Sequence, residues 1–321
     1  DHGIVSSWND WERLTEHIVN NELRRDLKDF GLLFSTPALA PPAQLERMTQ
    51  TYFELYDTPF LAAAFEPAMA ILASGRTTGI SVSVGGGVLQ IIPIHDGIII
   101  QEAVVIKKFG GADLTRYMAT LLAETWPIEA PFAESLLVDV ARLKNYFAYV
   151  ALDYDAEMEL YRTSVKQSVE ASLGSGSNKV TLGTERFRVG EAVFNPAVLG
   201  LEQPGLHHLI YESIMKCPEN TRQDLIINII LHGGCTMLSG LADRLCKEML
   251  RLLPPDSKMK IVAAPERKLN TWIGGSILTQ LPKFTSWFTK ERYEEVGPSG
   301  IHNAGIASFH NCSLPWMRYG P

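Results

Sequence analysis

The residues best placed to do chemistry in this sequence sit in two glycine-rich turns. The first lies within GRTTGISVSVGGGVLQIIPI, residues 75–94. Ile80, Val82 and Val84 alternate with Ser81 and Ser83, the period of a half-buried strand, and Val88–Ile94 reads as a second, more buried strand. Gly85, Gly86 and Gly87 between them permit positive φ and a close backbone approach. Such a turn cradles a phosphate through its N–H groups, or is simply a hairpin. The second turn is Gly233-Gly234, between the apolar run Ile226–Leu231 and a helical pattern over Leu238–Leu253. Strand, Gly-Gly, helix is the geometry of a nucleotide-binding crossover, with the helix N-terminus toward an anion, although GxGxxG is absent.

The other candidate clusters read as structure. Cys217, Cys235, Cys246 and Cys312 form no CxxC pair, the pattern of a reduced intracellular protein with incidental thiols. No Cys/His set has the spacing of a zinc site, so no metal is expected. His207 and His208 are adjacent, point apart on a helix and read as a surface pair. Asp153, Asp155, Glu157 and Glu159 lack the glycine and ligand density of a calcium loop and read as a solvated face.

These clusters need a scaffold, and the 321 residues suffice for two domains. Hydrophobic residues at 46% and charged residues at 20% are those of a soluble globular protein. A net charge of -7 without a Lys/Arg cluster points away from direct nucleic-acid binding. No apolar run reaches membrane-spanning length, so no membrane partner is expected. The chain opens without a signal segment or an initiator Met, and an upstream part is expected to be missing.

Periodicity predicts helices over Trp8–Leu23, Ala43–Tyr56, Ala68–Ala73, Ala112–Trp126, Glu134–Ala151, Gly205–Lys216, Asn220–Leu225 and Trp272–Leu281. Strands are expected at Gly31–Phe34, Phe60–Phe65, Gly97–Ile106 and Lys260–Ala263, with a small hairpin from Lys179–Leu182 and Arg186–Val189. Leu173–Asn178 reads as a flexible loop. A meander followed by strand–helix crossovers predicts α/β sheets flanked by helices, in two lobes with a cleft between them.

At this point particular segments carry a family resemblance. HGIVSSWNDWE (His2–Glu12), NNELR (Asn20–Arg24), ERMTQTYFE (Glu46–Glu54), ASGRTTGI (Ala73–Ile80), TERFRVGEAVFNP (Thr184–Pro196), SIMKC (Ser213–Cys217), APERK (Ala264–Lys268) and WIGGSIL (Trp272–Leu278) are collinear over nearly the whole chain. Together they resemble actins and actin-related proteins. The resemblance implies the two-lobed, ribonuclease H-like actin fold with nucleotide between the lobes. It implies a first large subdomain over 1–74, a second over 75–109 and 202–268, a small outer subdomain over 110–201, and a return to the first over 269–321 with a C-terminal extension. It begins inside the family pattern. The opening strands and first phosphate loop are absent, which would remove half the phosphate clamp and leave a sheet edge to be covered.

Carried over residue by residue, the resemblance implies a degenerate catalytic centre. Ser83 and Gly86 stand where the family has aspartates that organise a divalent ion, and neither supplies the charge such an ion requires. Glu66 replaces a water-positioning glutamine, adding a negative charge near phosphate, and Gln90 replaces an assisting histidine. Gly85, Gly87, Lys144, Gly233, Gly234 and Lys268 remain as nucleotide-binding positions, whereas Asn145 and Leu238 depart from the family's glutamate and tyrosine. The expectation is no enzyme and no required cofactor, with ATP or ADP held, if at all, without strong metal coordination.

The resemblance also implies a partner groove at Leu72, Ala73, Ile98, Leu278 and Leu281, with Gly75, Thr77 and Gly97, where an amphipathic helix would seat; the same residues read equally well as packing positions. The extension past His302, with Phe309, Trp316 and Tyr319, reads as a docking segment or a disordered tail. The function expected is a non-catalytic structural subunit of a multiprotein cytoskeletal assembly in the cytoplasm, with other subunits, including actin or actin-like neighbours, as partners. The alternatives are an ATP-binding protein that polymerises or caps filaments with slow hydrolysis, a subunit of a nuclear chromatin complex, and an enzyme on the related sugar-kinase-like fold.

Overall fold

The computed structural model describes residues 3–37, 40–125, 134–163, 168–172, 179–282, 284–304 and 306–307. The chain divides into two compact units: Asp1–Ser81, Ile94–Ile99 and Leu269–Pro321 form the first, Val82–Pro93 and Ile100–Lys268 the second. The expected loop at Leu173–Asn178 and most of the extension past His302 fall outside the described residues.

The first unit opens with α1 (Trp8–His17), whose N-terminus is capped by the Ser7 hydroxyl accepting from the Asp10 N–H. The helix expected to reach Leu23 widens into a π-helical stretch over Ile18–Leu23 and stops at Arg24, which adopts a left-handed φ of 52°. Next come β1 (Leu32–Thr36), α2 (Pro42–Glu54), β2 (Phe60–Phe65) and α3 (Glu66–Ala73). β1 and β2 pair in parallel, Leu32 opposite Leu61. β3 (Gly79–Val84), β4 (Leu89–His95) and β5 (Ile98–Ile99) lead into the second unit.

β3 is buried along its whole length, Ser81 and Ser83 included, so the expected half-solvated alternation does not hold. Its sheet, in the order β10-β9-β3-β4-β5 with a further strand on β4, is buried on both faces at this point. The single strand expected over Gly97–Ile106 is broken. β5 ends at Ile99, a 3₁₀ turn occupies Gln101–Ala103, and β6 (Val105–Lys107) then pairs antiparallel with β4. The Ala103 carbonyl accepts from the Ser213 hydroxyl at 2.7 Å instead of joining a ladder.

The second unit continues with α4 (Gly111–Thr125), α5 (Glu134–Phe147), α6 (Tyr154–Thr163), β7 (Val169–Ser172), β8 (Lys179–Leu182), α7 (Glu185–Glu191), α8 (Leu206–Lys216), α9 (Glu219–Ile226), β9 (Ile229–His232), α10 (Leu241–Leu252) and β10 (Ile261–Val262). β8 finds its partner in β7, not in Arg186–Val189, which belongs to α7. That short helix is buried on most sides, so Phe187 and Val189 mimic a strand pattern. α6 grows out of the acidic run, with Asp153 accepting from the Ala156 N–H and pairing with Lys247. His207 and His208 do not point apart: their rings lie 4.2 Å between centroids, and His207 stacks on Phe194 at 5.8 Å.

The chain then returns to the first unit with α11 (Asn270–Thr279), β11 (Phe288–Thr289), α12 (Lys290–Val296), α13 (Ile301–Ala304) and β12 (Ile306–Ala307). α11 packs closely on α3, because a side chain on Gly274 would overlap the Met69 carbonyl. β11 and β12 both pair with β2, antiparallel and parallel respectively, on the edge opposite β1. An aromatic core joins these pieces, with Phe53 stacked on Tyr293 at 4.6 Å and edge-on to Phe288 at 5.6 Å. No helix among the described residues is long and apolar enough to cross a membrane.

Candidate functional site

The two glycine turns of the sequence meet in the second unit. The Gly85 N–H donates to the Val88 carbonyl at 2.9 Å and closes the β3–β4 turn. Neither Gly85 nor Gly86 takes a positive φ, and a Cβ on either would meet nothing closer than 3.5 Å, so the residue that must be small here is the one packed against them. The approach comes from Gly110, where a Cβ would lie 2.7–2.8 Å from backbone atoms of Gly85, Gly86 and Gly87. At that distance the Gly111 N–H donates to the Gly85 carbonyl (2.9 Å) and the Ala112 N–H to the Gly86 carbonyl (2.8 Å). The first donors of α4 are thus satisfied by the hairpin, and the Asp113 carboxylate accepts from the Gly110 N–H.

From the second turn, Gly233 at φ 88° lies against the backbone of Val84. Its carbonyl accepts from the Thr236 N–H and hydroxyl, and the Cys235 thiol donates to the Gly85 carbonyl at 3.3 Å. Arg267 fastens the loop that carries Lys268: its guanidinium donates to the carbonyls of Thr236 (2.7 Å) and Ala264 (3.0 Å).

Around these turns lies a cavity of about 720 Å³. Gly85, Gly86, Gly111 and Gly234 form its backbone wall, Lys144 and Lys268 its cations, and Leu114, Ala141, Met237 and Leu238 its apolar side, with Asn145 and Cys235 also lining it. Lys144 is 6% exposed and donates to the Gly111 carbonyl at 2.9 Å. Burial pushes its ammonium below the usual lysine range. Burial pushes the Cys235 thiol up, with Lys144 acting the other way, so Cys235 is no activated nucleophile.

Four of the six expected nucleotide positions, Gly85, Gly234, Lys144 and Lys268, line this one cavity, and Gly233 precedes Gly234 against the backbone of Val84. Gly87 lies in the turn beside Gly110, outside the lining residues. Of the four degenerate positions only Gly86 lines it. Ser83 is buried on β3, Glu66 opens α3 in the first unit, and Gln90 is buried on β4 with its Oε1 unpaired. Cys235, Arg267 and the Gly110-Gly111 step were missed by sequence reading. The last was visible as a second Gly-Gly pair just before a predicted helix.

A divalent ion does not fit. The residues lining the cavity include no carboxylate, and among the described residues no three His, Cys, Asp or Glu side chains converge. An anionic, partly apolar small molecule does fit the cavity's size and donor set: Lys144 and Lys268 would meet its charge, and Leu238, Met237 and Leu114 its apolar part.

The expected partner groove is corrected. Leu72, Leu278 and Leu281 are 0%, 1% and 7% exposed, because the small residues of α11 let it settle onto α3. Ala73 is half-buried, and only Ile98 offers open apolar surface. The family comparison accounts for both the retained frame and the retained glycine turns: the Actin family profile matches residues 1–305. The chain belongs to the actin family.

Proposed function

We propose that this actin-family chain is a non-catalytic protein that serves as a fixed structural subunit of a multiprotein cytoskeletal assembly. The observation that carries the reading is the wall of the cavity at Gly85 and Gly86. Two glycines stand there, Ser83 is buried behind them, and no lining carboxylate can organise a metal and its waters. Hydrolysis of a nucleoside triphosphate depends on charge neutralisation and on an oriented water. Gln90, with an unpaired buried oxygen, and Cys235, with a raised pKa, supply neither. The fold is kept while the chemistry is reduced, which leaves surfaces as the seat of function. The test pairs two measurements on purified protein: phosphate release from ATP with Mg²⁺, and size analysis of the complexes it enters in cytoplasmic extract. Absence of turnover with a stoichiometric complex supports the reading; Mg²⁺-dependent turnover overturns it.

A second reading has its own support. The cavity near 720 Å³ with Lys144 and Lys268 suits an adenine nucleotide held without metal, in a protein that caps or joins filaments. Saturable ADP binding, with a change in filament growth when this protein is added to actin, separates it from the first reading.

A further inference from the structure

A second cavity, of about 670 Å³, lies wholly within the first unit. Its walls are Val19 and Asn20 at the start of the π-helical stretch, the segment Arg24–Leu27, and the turn Leu55–Asp57 that leads from α2 to β2. Leu55, on its wall, is 63% exposed, and Leu27 and Val19 form its buried floor.

Its charges are unevenly satisfied. Of the two carboxylates lining it, Asp26 pairs with Lys28 at 2.7 Å and Asp57 pairs with Lys290. Both lysines lie outside the lining, so each acid is already neutralised. Arg24 and Arg25, which also line the cavity, have no acidic partner among the described residues. Arg24 spends only its Nε, on the Asn21 carbonyl at 3.0 Å. Two guanidiniums therefore face this cavity with most of their donors unspent.

The rim is also held in an uncommon way. Arg24 and Asp57 both line the cavity and both adopt the left-handed conformation, with φ 52° and 53°. Arg24 is the left-handed cap that ends the π-helical stretch, and Asp57 turns the chain between α2 and β2, so both rim positions are fixed by the backbone bends that carry them.

The geometry points to a docking site for an acidic peptide segment of a partner protein, with one bulky apolar side chain seated beside Leu55 and its carboxylates on Arg24 and Arg25. Arg is the residue suited to bidentate capture of carboxylates. The exposed leucine on the wall distinguishes a peptide from a bare anion, which would leave that surface wet. This cavity shares no residue with the glycine-turn site, so the inference stands whether or not the chain binds nucleotide.

The test uses the full chain and a fluorescein-labelled peptide of glutamates flanking one leucine, followed by fluorescence anisotropy. Saturable binding is expected, weakened about tenfold or more by Arg25→Glu, as loss of a charge-assisted pair implies. Arg25 is exposed, so this variant keeps its fold; Arg24→Gly, which relieves the left-handed backbone, is a second variant expected to weaken binding. Arg142→Glu, at an exposed position of α5 in the second unit, applies the same charge change elsewhere and should leave binding intact. Replacing the peptide's leucine by glycine should also weaken it. Equal weakening by Arg142→Glu, indifference to the leucine, or displacement by inorganic phosphate at matched charge would each overturn the proposal.

Discussion

The Lys144 ammonium lies 2.9 Å from the Gly111 carbonyl and has no carboxylate partner among the described residues. A buried ammonium held by one neutral oxygen is costly until an anion arrives. Lys144→Met is therefore expected to stabilise the ligand-free protein by about 1–2 kcal/mol. The same change should abolish any rise in melting temperature caused by ADP. In the wild-type chain the folded state disfavours the charged lysine, so stability should climb with pH from its lowered value toward 10.5. Thermal melts of both proteins across alkaline pH, with and without ADP, check all three outcomes.

Gly110 tests whether the hairpin and α4 form one unit. A methyl there meets the backbone of Gly85, Gly86 and Gly87 at 2.7–2.8 Å, and none of those atoms can swing aside. Gly110→Ala is expected to cost roughly 3 kcal/mol or more in urea unfolding. Gly86→Ala, with open space around its Cβ, should cost far less.

His232, at the end of β9, is 1% exposed, and burial pushes its pKa to about 4. The unfolded chain therefore takes up a proton that the folded chain refuses between pH 6.5 and about 4. Stability should fall as pH drops through that window, by roughly 3 kcal/mol from this residue alone. His232→Gln should flatten that part of the acid-unfolding profile, measured as urea midpoints at successive pH values.

The Arg244 guanidinium ties α10 to α7 through Glu191 (3.0 Å), pairs within α10 with Glu248 (2.6 Å), and also donates to the Ala151 carbonyl. Arg244→Met leaves Glu191 buried without its cation and is expected to cost about 3 kcal/mol. Adding Glu191→Gln should recover part of that loss, because the stranded charge is then gone. A double-mutant cycle in urea reads the difference.

Much of this fold was legible in the sequence where one face of an element is wet and the other dry. α8 and α4 were read nearly to the residue on that pattern, whereas Phe60–Phe65, buried from Leu61 to Ala64, was read as a short apolar run after Thr58-Pro59. Legibility failed where burial and residue type part ways: α7 buries Glu185 and Glu191 beside Phe187 and Val189, whose spacing imitates a strand, and Ser81 and Ser83 are core residues despite their hydroxyls. The retained site residues were found through family segments, which name positions but not what braces them. Arg267 and the Gly110-Gly111 step act through backbone carbonyls and interatomic space, and neither leaves a pattern of residue types. The buried groove residues failed for the same reason, since a leucine that packs and a leucine that awaits a partner are the same letter.

The pairing of β2 has a consequence for how the chain is made. One edge of β2 is taken by β1, close by in sequence, but the other waits for β11 and β12 at the far end of the chain. During synthesis that apolar strand, with Leu61 and Ala63 destined for the core, emerges long before its neighbours do. A row of unsatisfied backbone donors and acceptors is then open to any passing strand. The first unit therefore closes only once β11 and β12 have been made, and its completion should be among the slower steps of maturation, as distant pairings are.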